Sequence, residues 1–362
     1  MTEHMRDVPL PLLVLRESAL AHNLRLMQAW CEENGLCLAP HGKTTMAPAL
    51  IRRQLDAGAW AITAASVQQL AVMRELGAPR VLLANQVVGA PEIAWLERER
   101  AAGVEVLCLV DSLEGVAALD AGVKAPLPLL VELGQARAGC RTDGQALAVA
   151  DAVAASERLV LAGVEGYEGT LGADRKPATL AAVDAFLDRL RAFAETLDAR
   201  GAFAGLDEVV VSAGGSLFFD RVAERLRPEL SRPVRVVVRA GAYLTHDDGA
   251  YAAATPLAAL RPALELWARV LSCPEPGLAI AGFGKRDAPY DLGMPIVRGH
   301  PRVRVEALND QHAFLRDPDG ELAVGDVVVC GISHPCTAFD KWPTIAVVDD
   351  DDVVVGAVQT RF

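Results

Sequence analysis

Along the first two-thirds of the chain, short runs of β-branched and leucine residues alternate with longer alanine- and leucine-rich segments of helical period. Eight such runs stand out: Leu36 to Ala39, Ala59 to Thr63, Val81 to Ala84, Val104 to Val110, Leu127 to Leu133, Leu159 to Val164, Glu208 to Ser212 and Val234 to Arg239. A continuous apolar run of this length reads as a strand buried on both faces, and a helix between each pair implies parallel neighbours. Eight βα steps over this length predict a (β/α)8, TIM-like barrel spanning residues 16–250. An open doubly wound sheet is the alternative. A helix at Ser18 to Glu33 precedes the first strand, without the glycine fingerprint of a dinucleotide fold after it.

The texture changes after about Tyr251. Pro301 to Leu308, Asp326 to Ile332 and Thr344 to Val348 are strand-like, separated by turn residues, and lack helical periodicity. The acidic run Asp349 to Asp352, between two apolar stretches, reads as a solvated hairpin tip. A second, mostly antiparallel β domain is therefore expected over 251–362, joined by residues 1–15 through the strand Leu12 to Leu15.

Composition narrows the function classes. A chain of 362 residues, 52% hydrophobic and 23% charged, can bury one large core and a smaller one. A net charge of -12 argues against nucleic acid or an anionic membrane as partner. Seven cysteines without framework spacing suggest a reduced, cytoplasmic protein. The apolar run Val8 to Leu15, interrupted by two prolines, is neither signal peptide nor membrane span.

The residues able to do chemistry fall at the carboxyl ends of the expected strands, where barrels place their sites. His41 and Lys43 follow the first run, Asn85 and Gln86 the third, Gly134 to Arg137 the fifth and Tyr167 the sixth. A lysine leaving a buried strand is expected to be partly desolvated, which lowers its pKa and frees a neutral amine for Schiff-base chemistry. The loops Ser212-Ala213-Gly214-Gly215-Ser216 and Arg239-Ala240-Gly241-Ala242-Tyr243 follow the last two runs. Barrels commonly bind phosphate there through backbone N–H groups, although a glycine pair alone is as readily a tight turn. A lysine at one edge and an anion site at the other suit a phosphorylated aldehyde cofactor.

Pro40-His41-Gly42-Lys43-Thr44, Val131 to Gly139, Gly166-Tyr167-Glu168-Gly169, Arg239 to Asp247, Leu308 to His312 and Ser333-His334-Pro335-Cys336 carry a family resemblance. The chain resembles the alanine racemase-like, fold type III pyridoxal-phosphate enzymes, and within them the branch of D-serine dehydratases and D-threonine aldolases. The resemblance implies that Lys43 holds pyridoxal 5'-phosphate, with Arg137 beside its ring, Tyr167 and His41 close by, and Ser212, Gly214, Gly215, Gly241, Ala242 and Tyr243 around the phosphate. It also implies a homodimer.

His334 and Cys336 bear on the choice of branch. By itself a His-x-Cys triplet is a weak metal signal, because cysteine is often buried for packing alone. In this family context it matches a zinc site, and imidazole with thiolate suits zinc. Aldolases of the branch tend to carry His-x-Asp, so the cysteine points to zinc-assisted dehydration of a D-hydroxy amino acid, D-serine foremost. D-Threonine or 3-hydroxyaspartate aldolase or dehydratase activity is the alternative. An amino-acid racemase, or a non-catalytic cofactor carrier, fits less well. His246 with Asp247 and Asp248 reads as a loop, and the other cysteines as core or partly buried thiols.

Overall fold

The computed structural model describes residues 3–362, which form two compact units. One comprises Gln28–Lys43 and Ile51–Gly241, and the other takes the described residues up to Met27, Thr44–Leu50 and Ala242–Phe362. The chain thus changes unit after Met27, Lys43, Leu50 and Gly241, where cuts near 16 and 250 were expected. Hydrogen bonds within the second unit give the reason. The Asn23 amide donates to Leu244 O and Arg261 O at 3.0 and 2.7 Å, and Met46 O accepts from Arg361 N at 2.8 Å.

The second unit opens with β1 (Leu12–Arg16), which runs without a break into α1 (Glu17–Glu33). The barrel follows as β2 (Cys37–Leu38), α2 (Pro48–Asp56), β3 (Ile62–Ala64), α3 (Val67–Glu75), β4 (Arg80–Gln86), α4 (Ala90–Ala101), β5 (Glu105–Val110) and α5 (Leu113–Gly122). It continues with β6 (Leu127–Leu133), α6 (Asp143–Ala154), β7 (Leu159–Gly166), α7 (Pro177–Ala199), β8 (Val209–Ala213), α8 (Phe219–Arg225) and β9 (Val234–Val238). Strands β3 to β9 pair in parallel with successive neighbours, and β2 pairs with β9. A parallel bridge between His41 and Thr63, with Thr63 N donating to Pro40 O at 2.9 Å, joins the ends and closes the expected barrel.

Helix starts follow local chemistry. Ser66 and Ser112 cap α3 and α5, and Thr142 with Gln145 forms a capping box on α6.

In the second unit, β10 (Leu264–Glu275), β11 (Leu278–Ala281), β12 (Ile296–Val297), β13 (Arg304–Leu308), β14 (Ala313–Arg316), β15 (Val327–Gly331), β16 (Thr344–Val348) and β17 (Val354–Gln359) join β1 in a nine-stranded sheet. A short helix, α9 (Cys336–Phe339), interrupts them. Only β1 with β16 is parallel. The acidic tip between β16 and β17 is more than a solvated turn. The Arg16 guanidinium donates to Asp352 Oδ1 at 2.9 Å and to Asp349 O at 2.5 Å, while Ser18 bonds Asp350. Among the described residues, no helix is long and apolar enough to cross a membrane.

Candidate active site

The period of two along the barrel strands builds the site. Ala39, Ala61, Leu130, Ala162, Val210 and Val237 belong to one apolar cluster. One inward step further along, two residues in most strands, stand His41, Thr63, Glu132, Glu165, Ser212 and Arg239. In β7 the step is three residues, because the register shifts at Gly163, which adopts φ +151. A polar layer thus lies over an apolar one, at the carboxyl ends of the strands.

His41 is half-buried, and its Nδ1 is enclosed without a hydrogen-bond partner. Burial, then Lys43, Arg239 and Arg137, hold its pKa well below the usual histidine value, so the ring is neutral. Lys43 sits in a single 3-10 turn, Gly42–Thr44, and is exposed. The desolvation expected for it is therefore not supplied by the chain alone. Arg137, also exposed, places its guanidinium carbon 4.7 Å from the centre of the Tyr167 ring, a cation–π contact. The loop carrying Arg137 is fixed by Gly139 N donating to Asp111 Oδ2 at 2.8 Å and Cys140 N to Glu132 O at 2.8 Å.

Three expected phosphate contacts need correction. Ser212 is fully buried. Its hydroxyl donates to Val237 O at 3.1 Å and accepts from Arg239 Nη1 at 2.5 Å, which leaves it committed to the barrel interior. The N–H groups of Gly214 and Gly215 donate to the Glu168 carboxylate at 2.9 and 2.8 Å, so they are already engaged. Gly215 is required for another reason: a Cβ there would lie 2.9 Å from the Tyr167 ring. Gly241 closes the barrel unit, whereas Ala242 and Tyr243 are buried in the turn at which the chain re-enters the second unit.

Three buried carboxylates line the polar layer. Glu132 accepts from Gln86, Glu165 pairs with Arg239, and Glu168 takes the glycine N–H groups. Burial pushes Glu165 up to about 8 against the pull of Arg239, with Glu132 adding to the rise. A carboxyl raised from 4.5 binds its proton more tightly when folded, so its stabilising effect is full below about pH 4.5 and gone above about pH 8. Between these limits the parent should lose stability relative to Glu165→Gln by at most about 1.4 kcal/mol per pH unit. Denaturant unfolding of both proteins across this range measures the difference, and a constant gap would refute it.

In the second unit, burial lowers the His334 pKa, but Cys336, followed by Asp291, pushes it up to about 9. Cys336 Sγ also lies 3.5 Å from Thr44 Oγ1. Sequence reasoning missed Asp291, whose Oδ2 is 2.6 Å from His334 Nδ1 and whose Oδ1 accepts from Thr337 at 2.9 Å. A carboxylate on Nδ1 fixes the ring's orientation, and loss of the Nε2 proton to an incoming cation would leave Nε2 as the ligand atom. Among the described residues, no three His, Cys, Asp or Glu side chains converge as a complete metal-ligand set.

The other candidates are structural. Asp247 accepts N–H bonds from Gly249, Tyr251 and Ala252, Asp248 pairs with Arg298 at 2.6 Å, and His312 and Cys273 are exposed.

Residues 15–244 match the family model of the alanine racemase N-terminal domain, and residues 263–348 that of a putative serine dehydratase domain. D-Threonine aldolase of Arthrobacter sp. is 29% identical over 354 residues, covering 95% of this chain and 90% of that protein. 3-Hydroxy-D-aspartate aldolase of Paracoccus denitrificans (strain Pd 1222) is 26% identical over 349 residues, covering 93% and 88%. The crystal structure of D-threonine aldolase from Filomicrobium marinum matches with a TM-score of 0.84 at 26% identity, covering 99% of this chain and 96% of that one. With both family models in succession along the chain, and Lys43 in the turn that follows the first barrel strand, the chain belongs to the alanine racemase-like, fold type III pyridoxal-phosphate enzymes, in the branch of D-threonine aldolases and D-serine dehydratases.

Proposed function

We propose that the protein is a pyridoxal-phosphate- and divalent-metal-dependent lyase that cleaves D-β-hydroxy-α-amino acids between Cα and Cβ, the D-threonine and 3-hydroxy-D-aspartate class. The observation that carries this reading is that curated relatives spanning 93 to 95% of the chain are aldolases for such acids. It replaces D-serine dehydration, which the His334-x-Cys336 triplet had favoured. That triplet still supports β-elimination from the same class of substrate as a second reading.

The residues present fit the cofactor. A buried imidazole nitrogen without a partner, His41 Nδ1, marks a surface that a bound molecule can complete. Lys43 offers an accessible amine for the aldehyde, and Ser216 and Gly241 remain as candidate contacts for the phosphate. His334 Nε2 and the Cys336 thiolate are a borderline-soft donor pair of the kind zinc prefers.

When bound, pyridoxal phosphate supplies an electron sink for the pair left at Cα, and the divalent cation a Lewis acid for the β-oxygen. The chain's own groups do the rest. Lys43, freed when substrate amine takes its place, would carry the proton, taking it from the β-hydroxyl and returning it to Cα in aldol cleavage, or taking it from Cα in elimination. Arg137, braced on Tyr167, presents a planar cation suited to a carboxylate.

Product analysis tests the proposal. The holoenzyme should convert D-threonine to glycine and acetaldehyde, and 3-hydroxy-D-aspartate to glycine and glyoxylate. Keto acid and ammonia without glycine would establish the elimination reading instead.

A further inference from the structure

We propose that Glu168 is the positioning residue for the cofactor phosphate, acting through the turn at Gly214 and Gly215. This rests on the cofactor reading above and adds a residue that never touches the cofactor. Glu168 lies in the 3-10 turn Glu168–Thr170 that follows β7, and it is fully buried. Its two carboxylate oxygens accept the consecutive N–H groups of Gly214 and Gly215, at 2.9 and 2.8 Å. Charge-assisted bonds of this kind are about twice as strong as neutral ones, and a pair on adjacent peptides fixes the orientation of both planes.

The turn cannot hold this shape by local propensity alone. Gly214 adopts φ +87, a region that glycine visits freely but does not favour over its alternatives. The carboxylate selects that conformation. Gly214 O in turn accepts from Arg239 N at 2.8 Å, which ties the turn to the end of β9 just before Gly241. One buried acid therefore sets the turn that leads into Ser216, and the turn is bonded to the segment that leads into Gly241. With the two glycine N–H groups directed at Glu168, the anion has to be met by groups further along these loops. A carboxylate close to a phosphate site would repel the anion if its charge were unpaired, and the two N–H donors offset that charge.

Glutamine is the discriminating substitution. Glu168→Gln keeps the volume but places an amide NH2 where one glycine N–H needs an acceptor, so one bond becomes a donor–donor clash. Apoprotein of parent and variant should be titrated with pyridoxal phosphate and with pyridoxal, which lacks the phosphate. We expect Glu168→Gln to weaken pyridoxal phosphate binding roughly tenfold or more while pyridoxal binding stays within about twofold. Parent-like affinity for pyridoxal phosphate, or an equal loss for both ligands, would overturn the assignment. If Glu168→Gln does not fold, Glu168→Asp, which retains the charge at shorter reach, is titrated with the same two ligands and read in the same way. No binding of pyridoxal phosphate by the parent would bring down the cofactor reading itself, and this assignment with it.

Discussion

Replacing Lys43 with alanine is expected to give a folded, colourless protein whose turnover falls by at least roughly a thousandfold, since the nucleophilic amine and the proton carrier are lost together. Stability should hardly change. Lys43 is exposed, and truncating a surface side chain usually shifts unfolding by no more than about 0.5 kcal/mol. The combination of an intact unfolding transition and absent visible absorbance separates a chemical role from a structural one. In the parent, borohydride reduction followed by peptide mapping should place the pyridoxyl mass on Lys43. Full turnover by Lys43→Ala would remove the basis of the cofactor assignment, including the roles given to His41, Arg137 and Tyr167.

Stripping the divalent cation is expected to abolish carbon–carbon cleavage while cofactor absorbance persists. Lys43 and the glycine turn belong to the barrel unit, whereas His334 and Cys336 belong to the other, so the two losses are separable. Added zinc should restore the rate. Cys336→Ala should lower zinc affinity and turnover together. Asp291→Asn should weaken zinc binding by about 10- to 100-fold, because His334 loses the carboxylate that fixes its orientation. Calorimetric titration of the metal-free protein reads both effects independently of activity. Cys336→Asp offers a harder ligand and should move the preference towards manganese or magnesium. An undiminished rate in protein shown by elemental analysis to hold no metal would return His334 and Cys336 to residues of the fold.

The barrel was legible because its strands are buried on both faces and therefore appear as unbroken apolar runs. The run Leu127 to Leu133 coincides end to end with β6, and six of the other seven differ by no more than two residues at either end. Ala59 to Thr63 sits up to three residues early against β3, since Trp60 bonds Leu38 O before the ladder begins. The antiparallel unit was harder to read. Strand β10 was missed because its carboxyl half, Leu271 to Glu275, is largely exposed and carries serine, proline and glutamate, which breaks the apolar signal.

Candidate chemistry was legible as residue types at strand ends: Lys43 after β2, Arg137 after β6, Tyr167 after β7, and the His334–Cys336 pair. Partnership was not. Ser212 and the two glycines look like phosphate donors in the sequence, yet the tertiary structure commits them to Arg239, Val237 O and Glu168. Glu168 lies 46 positions from Gly214, and Asp291 lies 43 from His334. Periodicity and turn chemistry are properties of near neighbours and so determine the elements and the loops that carry reactive groups. Which buried acid meets which donor depends on barrel closure and sheet register, and only the folded chain decides it.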